Sequence, residues 1–413
     1  MSALTYWVWL ASCPHVSAGC QRALLEHFGS AEEVYYAEAG ALAQVEGVGE
    51  DQVRALENKS LDAAEAILEA CAARDIFVLT QQDALYPQRL GNIFDPPLLL
   101  YGRGSMPMFD SEMAVSVVGT RNCTPYGLRM AEQFGYGLGR QGAIVVSGLA
   151  RGIDGAAHRG ALRSGGFTAA VLGCGVDVVY PVSNRRLYED ILSSGVILSE
   201  YPPGTEPAPW RFPARNRIIS GLTLATLVVE APEKSGALIT AATALEQGRD
   251  VFAVPGPLDS PHSLGCNRLI RDGAGLAMDS WDLLRAYSGR YPHKLHPEEE
   301  TLPPLPRESR QEKPEEKPEE TVPAEPLSAE PEKPALPVLD LEKDGEKFTR
   351  AQIAVLRILD DKKPMLIDDL AARTDIPMRQ ILSAVTMLEI DGLIRQEGMR
   401  MFLRTVEVSE TKE

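Results

Sequence analysis

The sequence has few of the features that mark an enzyme, a secreted scaffold or a membrane protein. Among 413 residues there are six cysteines (Cys13, Cys20, Cys71, Cys123, Cys174, Cys266) with no Cys-x-x-Cys pair, and only six histidines. Scattered thiols with so few imidazoles read as reduced core residues and exclude a disulfide framework or a zinc site. No apolar stretch is long enough to span a bilayer. Leu10-Ala11-Ser12-Cys13 resembles a lipoprotein cleavage box, but no Lys or Arg precedes it and Tyr6–Leu10 is too short for a signal core. That segment is expected to be the first turns of a buried helix, in a cytoplasmic protein. No Gly-Lys dipeptide exists, so there is no Walker A loop. Gly173-x-Gly175 has Val178 where a dinucleotide fingerprint needs its third glycine, and no Gly-x-Ser-x-Gly elbow occurs. No catalytic residue, metal or cofactor is therefore assigned.

Positive charge is also scarce. The formal net charge is -17. Residues 291–347 carry 8 Lys/Arg against 16 Asp/Glu, residues 348–413 carry 10 against 11, and residues 1–290 carry 23 against 31. Half of the acidity thus sits in one segment, and any site for nucleic acid must be a local cluster of cations. The acidic segment holds 12 prolines in 57 residues. Such a composition cannot bury enough apolar surface to offset its ordering entropy, so residues 289–347 are expected to be a disordered linker.

On either side of that linker the pattern is regular. Residues 1–74 read as a small helical domain. Its Val45-Glu46-Gly47-Val48-Gly49 turn is like that of a helix-hairpin-helix, although no cation follows before Arg54. From 75 to 288 short apolar runs at Ala114–Val118, Ala143–Val146, Thr168–Leu172, Val196–Leu198, Leu224–Val229 and Val251–Val254 alternate with helical stretches such as Ala237–Gln247. Continuous apolar strands between helices predict an α/β, Rossmann-like parallel sheet covered on both faces. Residues 348–405 read as three helices, Ala351–Leu359, Ile367–Arg373 and Met378–Ile390, followed by a hairpin of Leu393–Gln396 and Met399–Leu403 turned at Glu397-Gly398. That is a winged-helix arrangement, with 406–413 as a tail. Its presumed recognition helix offers Arg379, Gln380, Ser383 and Thr386 but one cation, which suits protein docking better than a DNA groove.

In open parallel sheets ligands bind beyond the carboxyl ends of the strands. There the sequence places Gly119-Thr120-Arg121, Ser147-Gly148 with Arg151-Gly152, and Lys234-Ser235-Gly236. Glycines allow backbone N–H groups to approach an anion, and the helices that follow add their N-terminal dipoles. Trp210–Arg217, expected to be a loop, adds Arg211, Phe212, Arg215, Asn216 and Arg217 with no acid. Guanidinium groups suit phosphate oxygens and aromatic faces suit unstacked bases. The competing reading is that these arginines pair with Glu200, Glu206 or Glu230. Asp154 and His158, four apart on a helix, read as a capping carboxylate and a packed imidazole.

Taken in order, Gly119-Thr120-Arg121 with Tyr126-Gly127, Ser147–Asp154 with His158, and Leu172-Gly173 with Asp177, Tyr180-Pro181 and Asn184 resemble successive motifs of the DNA-processing protein A (DprA/Smf) family. Ser199–Gly204, Phe212-Pro213-x-Arg215-Asn216-Arg217-Ile218-Ile219-Ser220-Gly221 and Ser235-Gly236-x-Leu238-Ile239-Thr240 continue the series, across about 75 to 285. Upstream Asp95-Pro96-Pro97 and downstream Val254-Pro255-Gly256 and Gly265-Cys266-Asn267 are similar to its flanks. The resemblance implies a homodimer that binds and protects single-stranded DNA and helps load a RecA-type recombinase during transformation and recombination. An alternative of another class is a Rossmann-like nucleotide phosphoribohydrolase of the lysine-decarboxylase-like group. Its Pro-Gly-Gly-x-Gly-Thr-x-x-Glu motif is missing, and Pro255-Gly256-Pro257-Leu258 stands in its place.

Overall fold

The computed structural model describes residues 2–297, 338–340, 348–360, 365–374, 376–396 and 401–409. These residues fall into two compact units, one on either side of Gln311.

The first unit is built on a nine-stranded sheet. Its strands are β1 (Phe77–Thr80), β2 (Leu99–Gly104), β3 (Ala114–Val118), β4 (Ile144–Ser147), β5 (Thr168–Val171), β6 (Gly195–Ser199), β7 (Ala225–Val228), β8 (Asp250–Ala253) and β9 (Gly275–Leu276). They lie in the order β1-β2-β6-β5-β4-β3-β7-β8-β9. From β6 to β9 every pairing is parallel, while β2 runs antiparallel to β6 and β1 antiparallel to β2. The six expected strands are present, with ends shifted by a residue or so.

The chain starts its parallel sheet at β3, winds outward to β6, then crosses back to lay β7 on the other side of β3. Crossovers on the two sides of β3 therefore diverge and leave a crevice above the ends of β3 and β7, the switch point at which such sheets hold ligands. Alternate residues of each strand go to opposite faces. Val115, Val117 and Val145 pack against helices Pro125–Arg140 and Ile153–Arg163. Val118, Val146 and Val171 pack with Ile218, Ile219, Ala237 and Ala241 from helices Arg211–Gly221 and Gly236–Glu246 on the other face.

The expected boundary at residue 74 is not a boundary in packing. Helix Ala3–Ser12 buries Tyr6 through Leu10 in one continuous core with Leu98, Tyr101, Ala170, Leu172 and Ile197 of the sheet and its flanks. The N-terminal helices and the sheet thus share buried surface. Of the cleavage-box segment, Leu10–Ser12 form the last turn of this buried helix and not its first, and Cys13 caps its end.

In the second unit, helices Arg350–Ile358, Ile367–Arg373 and Met378–Ile390 enclose Val355, Leu370, Ile381 and Leu388. Strands Met365–Leu366, Met401–Arg404 and Ile394–Gln396 form a three-stranded wing in that order. The expected turn at Glu397-Gly398 lies outside the described residues. Gln380, Ser383 and Thr386 are exposed on the third helix, as are Leu382 and Met387. Val338–Asp340, inside the segment expected to be a linker, forms a parallel strand with Glu407–Ser409 of the expected tail.

Candidate nucleic-acid interface

Two adjoining clefts open at the carboxyl edge of the sheet. The first, of about 490 Å³, lies over β3 and β7 and is lined by Gly119–Asn122, Phe212, Asn216 and Lys234–Ala237 among others. The second, of about 420 Å³, lies over β4 and β5 between Gly148–Arg151, Leu172–Cys174 and Tyr180–Ser183. Arg121, Phe212 and Arg215 belong to both. The three strand-end loops that the sequence marks and the Trp210–Arg217 segment are thereby brought to one place.

Each loop is held from below. Thr120 N–H donates to the Glu230 carbonyl at 2.8 Å, tying the β3 loop to the β7 loop. Thr124 caps helix Pro125–Arg140 and is gripped by the Glu230 carboxylate, which accepts from its N–H at 2.8 Å and its Oγ1 at 2.7 Å. Ser147 is fully buried and its hydroxyl donates to the Val117 carbonyl at 2.6 Å, so it ties β4 to β3 and is not presented to the cleft. Gly152 has φ of +77°, and a Cβ there would stand 2.5 Å from the Thr120 carbonyl oxygen and 2.7 Å from that of Arg121. Only glycine lets the β4 loop cross this close to the β3 loop.

The cations divide into two groups. Arg215 is 4 % exposed and sits beneath the clefts. It donates to the carbonyls of Gly148, at 2.9 Å, and Val171, and to Asn216 Oδ1 at 3.2 Å. Burial pulls its guanidinium down from the ordinary arginine range, and the nearby Asp154 carboxylate opposes that. Asp154 is raised by its own burial, with Arg215 and the Ala150 and Gly148 N–H groups acting the other way. Its carboxylate accepts from Gly148 N–H at 3.2 Å and Ala150 N–H at 3.4 Å, and so caps the loop. Arg217 is likewise engaged. Its head makes a two-pronged contact with Glu200, at 2.6 and 3.0 Å, and reaches Asp95 at 3.1 Å. Burial would lower the Arg217 guanidinium, but the two carboxylates outweigh it and leave it raised. For Arg217 the competing reading of the sequence describes the geometry.

Arg121, Arg151 and Lys234 are different. All three are exposed at the clefts, and among the described residues none has an ion-pair partner. The carboxylates that could have taken Arg121 are occupied, Glu200 by Arg217 and Glu230 by Thr124. The Arg121 guanidinium lies 4.9 Å from the centre of the Phe212 ring, which also stacks on Tyr180 at 5.5 Å. Ser235 caps helix Gly236–Glu246 and Gly236 is exposed beside Lys234. Trp210–Arg217 is not the loop expected: helix Arg211–Gly221 begins there. Arg211 is drawn from the clefts toward Trp210, Tyr201 and the Glu206 carbonyl.

Chemical catalysts are sparse at this edge. Among the described residues lining the two clefts the one carboxylate is Asp154, in the first, and it serves backbone groups. His158 is wholly buried, its Nδ1 2.7 Å from Thr168 Oγ1, and burial pushes the imidazole down to about 3. The Cys174 thiol is pushed up to about 11 by burial, which keeps it protonated. What the edge can do is hold anions and flat rings.

The sequence names Tyr180 in a motif and Trp210 at the head of the arginine-rich segment but assigns neither a role in the site. Tyr180 is exposed and stacked on Phe212, and only the fold puts it there.

No helix among the described residues is long and apolar enough to cross a membrane. The sequence matches the family described as DNA recombination-mediator protein A over residues 77–288, and the DprA winged helix domain over residues 322–398. Protein Smf of Synechocystis sp. is 36% identical over 408 residues, covering 97% of this chain and 98% of that protein. DNA processing protein DprA of Streptococcus pneumoniae is 45% identical over 205 residues, covering 50% of this chain and 72% of that protein. The X-ray structure of the Streptococcus pneumoniae protein aligns with a TM-score of 0.61 at 35% identity, over 69% of this chain and 98% of that one. A match to the family over half of the sequence and a relative aligned from end to end give one result: the chain belongs to the DNA recombination-mediator protein A family.

Proposed function

We propose that this protein binds single-stranded DNA across the carboxyl edge of its sheet. One observation carries the reading: Arg121, Arg151 and Lys234 stand exposed around two glycine-walled clefts, with no carboxylate spent on them among the described residues. In a chain of net charge -17 such a cluster of free cations asks for an anionic partner. Both clefts are lined by Phe212 and Tyr180, whose ring faces suit the unstacked bases of a single strand. Gly119, Ser235 and Gly236 supply backbone donors near the phosphates, and Thr120, whose N–H is taken by Glu230, offers its hydroxyl. Ser147, Gly148, Gly152, Arg215 and Arg217 act one step back, by shaping the loops. Phosphate contacts and stacking carry little sequence information, so binding is expected to tolerate any sequence and to weaken with salt.

The same proposal includes the finer steps that membership of a recombination-mediator family makes reasonable: a homodimer, protection of the strand, and its delivery to a RecA-type recombinase in transformation and recombination. No step requires catalysis, metal or cofactor.

Arg121→Ala tests the assignment. Losing one phosphate contact should weaken binding on every sequence and lower the slope of log affinity against log salt by roughly 0.7. The melting temperature should stay put, because Arg121 satisfies no buried group. An unstable variant with an unaltered salt slope would sink the assignment.

A further inference from the structure

Beyond the clefts, Phe94 and Trp210 are large aromatic side chains left outside every core. Phe94 is 89 % exposed and Trp210 is 65 % exposed. Neither is loose. The Arg211 guanidinium lies 4.7 Å from the Trp210 ring and 5.1 Å from Tyr201, which meets Trp210 edge-on at 6.4 Å. Arg22, from helix Ala18–Phe28, lies 5.8 Å from the Phe94 ring and donates to the Phe94 carbonyl at 2.9 Å. A ring held by a guanidinium yet open to solvent presents a steadied flat face to a partner.

Their positions relate them to the clefts. Trp210 sits at the start of the helix that carries Phe212, next to Pro209 of the first cleft. Phe94 precedes Asp95, and Tyr201 follows Glu200; both carboxylates hold the same Arg217 guanidinium. The two exposed aromatics therefore flank one ion-pair cluster. Counting Phe212 with Arg121, arginines back the rings of Phe212, Trp210 and Phe94.

We propose that Trp210 and Phe94 are base-stacking platforms on which a single strand continues past the clefts, so that Arg22 gives the N-terminal helices a part in holding it. The inference rests on the single-strand reading above. Stacking on a ring is sequence-tolerant, as that reading requires, and needs no additional phosphate contact. The strand is the occupant argued for. A protein docking on these rings would be the other outcome.

The test compares two fluorescent oligothymidines on the full chain, one of about 6 nucleotides and one of about 25, below and above the reach of a single binding module. The Trp210→Ala/Phe94→Ala double variant should bind the short oligonucleotide like the parent and the long one roughly tenfold less tightly. Its salt slope should equal the parent's. Trp210→Phe/Phe94→Tyr, which keeps both rings, should restore affinity. Because Trp7 and Trp9 are buried and the half-buried Trp281 packs against the core on the helix-covered face of β3, quenching of tryptophan fluorescence by the long oligonucleotide should fall sharply in Trp210→Phe while binding persists. Undiminished binding of the long oligonucleotide by the double alanine variant overturns the proposal, as does an equal loss on both lengths. A change of oligomeric state with DNA binding intact would also overturn it, in favour of protein docking. Failure of the cleft reading looks different: the parent would then bind neither oligonucleotide, or Arg121→Ala would bind both as well as the parent.

Discussion

Arg121 and Arg215 lie within reach of each other, in equally basic motifs, and do opposite work. Arg121 faces solvent and a ring; Arg215 is buried under the loops and bonded to two backbone carbonyls. Arg215→Ala should therefore act on the fold. It leaves the Gly148 and Val171 carbonyls unpaired and Asp154 buried without its compensating charge, at a cost of about 3–5 kcal/mol, readable in thermal or urea unfolding. A stability like the parent's would contradict its structural role. The sequence could show that arginines cluster here, but not which of them is buried, because the partners of Arg215 come from two distant strands. His158 makes a second residue-scale case. Burial holds its imidazole neutral, at about 3 against an unfolded value near 6.5. Between those values the unfolded chain binds the proton and the folded chain does not. The stability this gives is whole above about pH 6.5 and is lost as pH falls toward 3. His158→Gln should flatten the stability–pH curve between about pH 6 and 4 by about 1.4 kcal/mol per pH unit, measured by unfolding at several pH values. A slope as steep as the parent's would place the acid sensitivity elsewhere.

Secondary-structure elements aim the site more than they compose it. Loop Gly148–Gly152 crosses under the carbonyls of Thr120 and Arg121, so the two strand ends move together. Gly152→Ala would force a Cβ against those carbonyls at a φ that L side chains avoid, with a strain of about 1–3 kcal/mol. The relief available is displacement of the Arg121 loop, so single-strand affinity should fall even though Gly152 has no charge to lose. Fluorescence-anisotropy titration checks this; a variant with lower stability and parental affinity would show that the loops are not coupled. At this scale the sequence was informative. Parallel strands buried on both faces stand out as apolar runs, and the glycines that follow them mark the loops. The exception is Trp210–Arg217, expected to be a loop. Pro213, Asn216 and three arginines hide its helical period, yet Pro213 falls in the first turn, where its missing N–H has no helical partner to lose. The sequence places Tyr180 in a motif but gives it no role, because its stacking on Phe212 joins segments far apart in the chain.

At the scale of the whole molecule, composition marked out the acidic segment but could not show where packing ends. Residues 1–74 read as a domain of their own, yet Tyr6–Leu10 share a core with Leu98, Tyr101 and Ile197. Helix periodicity reports that a face is apolar, not what covers it. Likewise Val338–Asp340 pairs with Glu407–Ser409 across the winged-helix unit, and three residues beside a proline-rich stretch gave no sign of it. Any fragment used to study the clefts should accordingly begin at the N-terminus and retain these helices. The acidic total charge acts against binding any nucleic acid, so the cleft cations must outweigh it locally. That makes strand geometry decisive: bases must be free to enter clefts of about 490 and 420 Å³. The most direct measurement is the affinity of the full chain for a single-stranded oligonucleotide and for the duplex of the same length and sequence, by gel shift at several salt concentrations without nucleotide or metal. The single strand should bind more tightly at every salt concentration, with an affinity that falls linearly on logarithmic axes. Equal or tighter binding of the duplex would contradict the account.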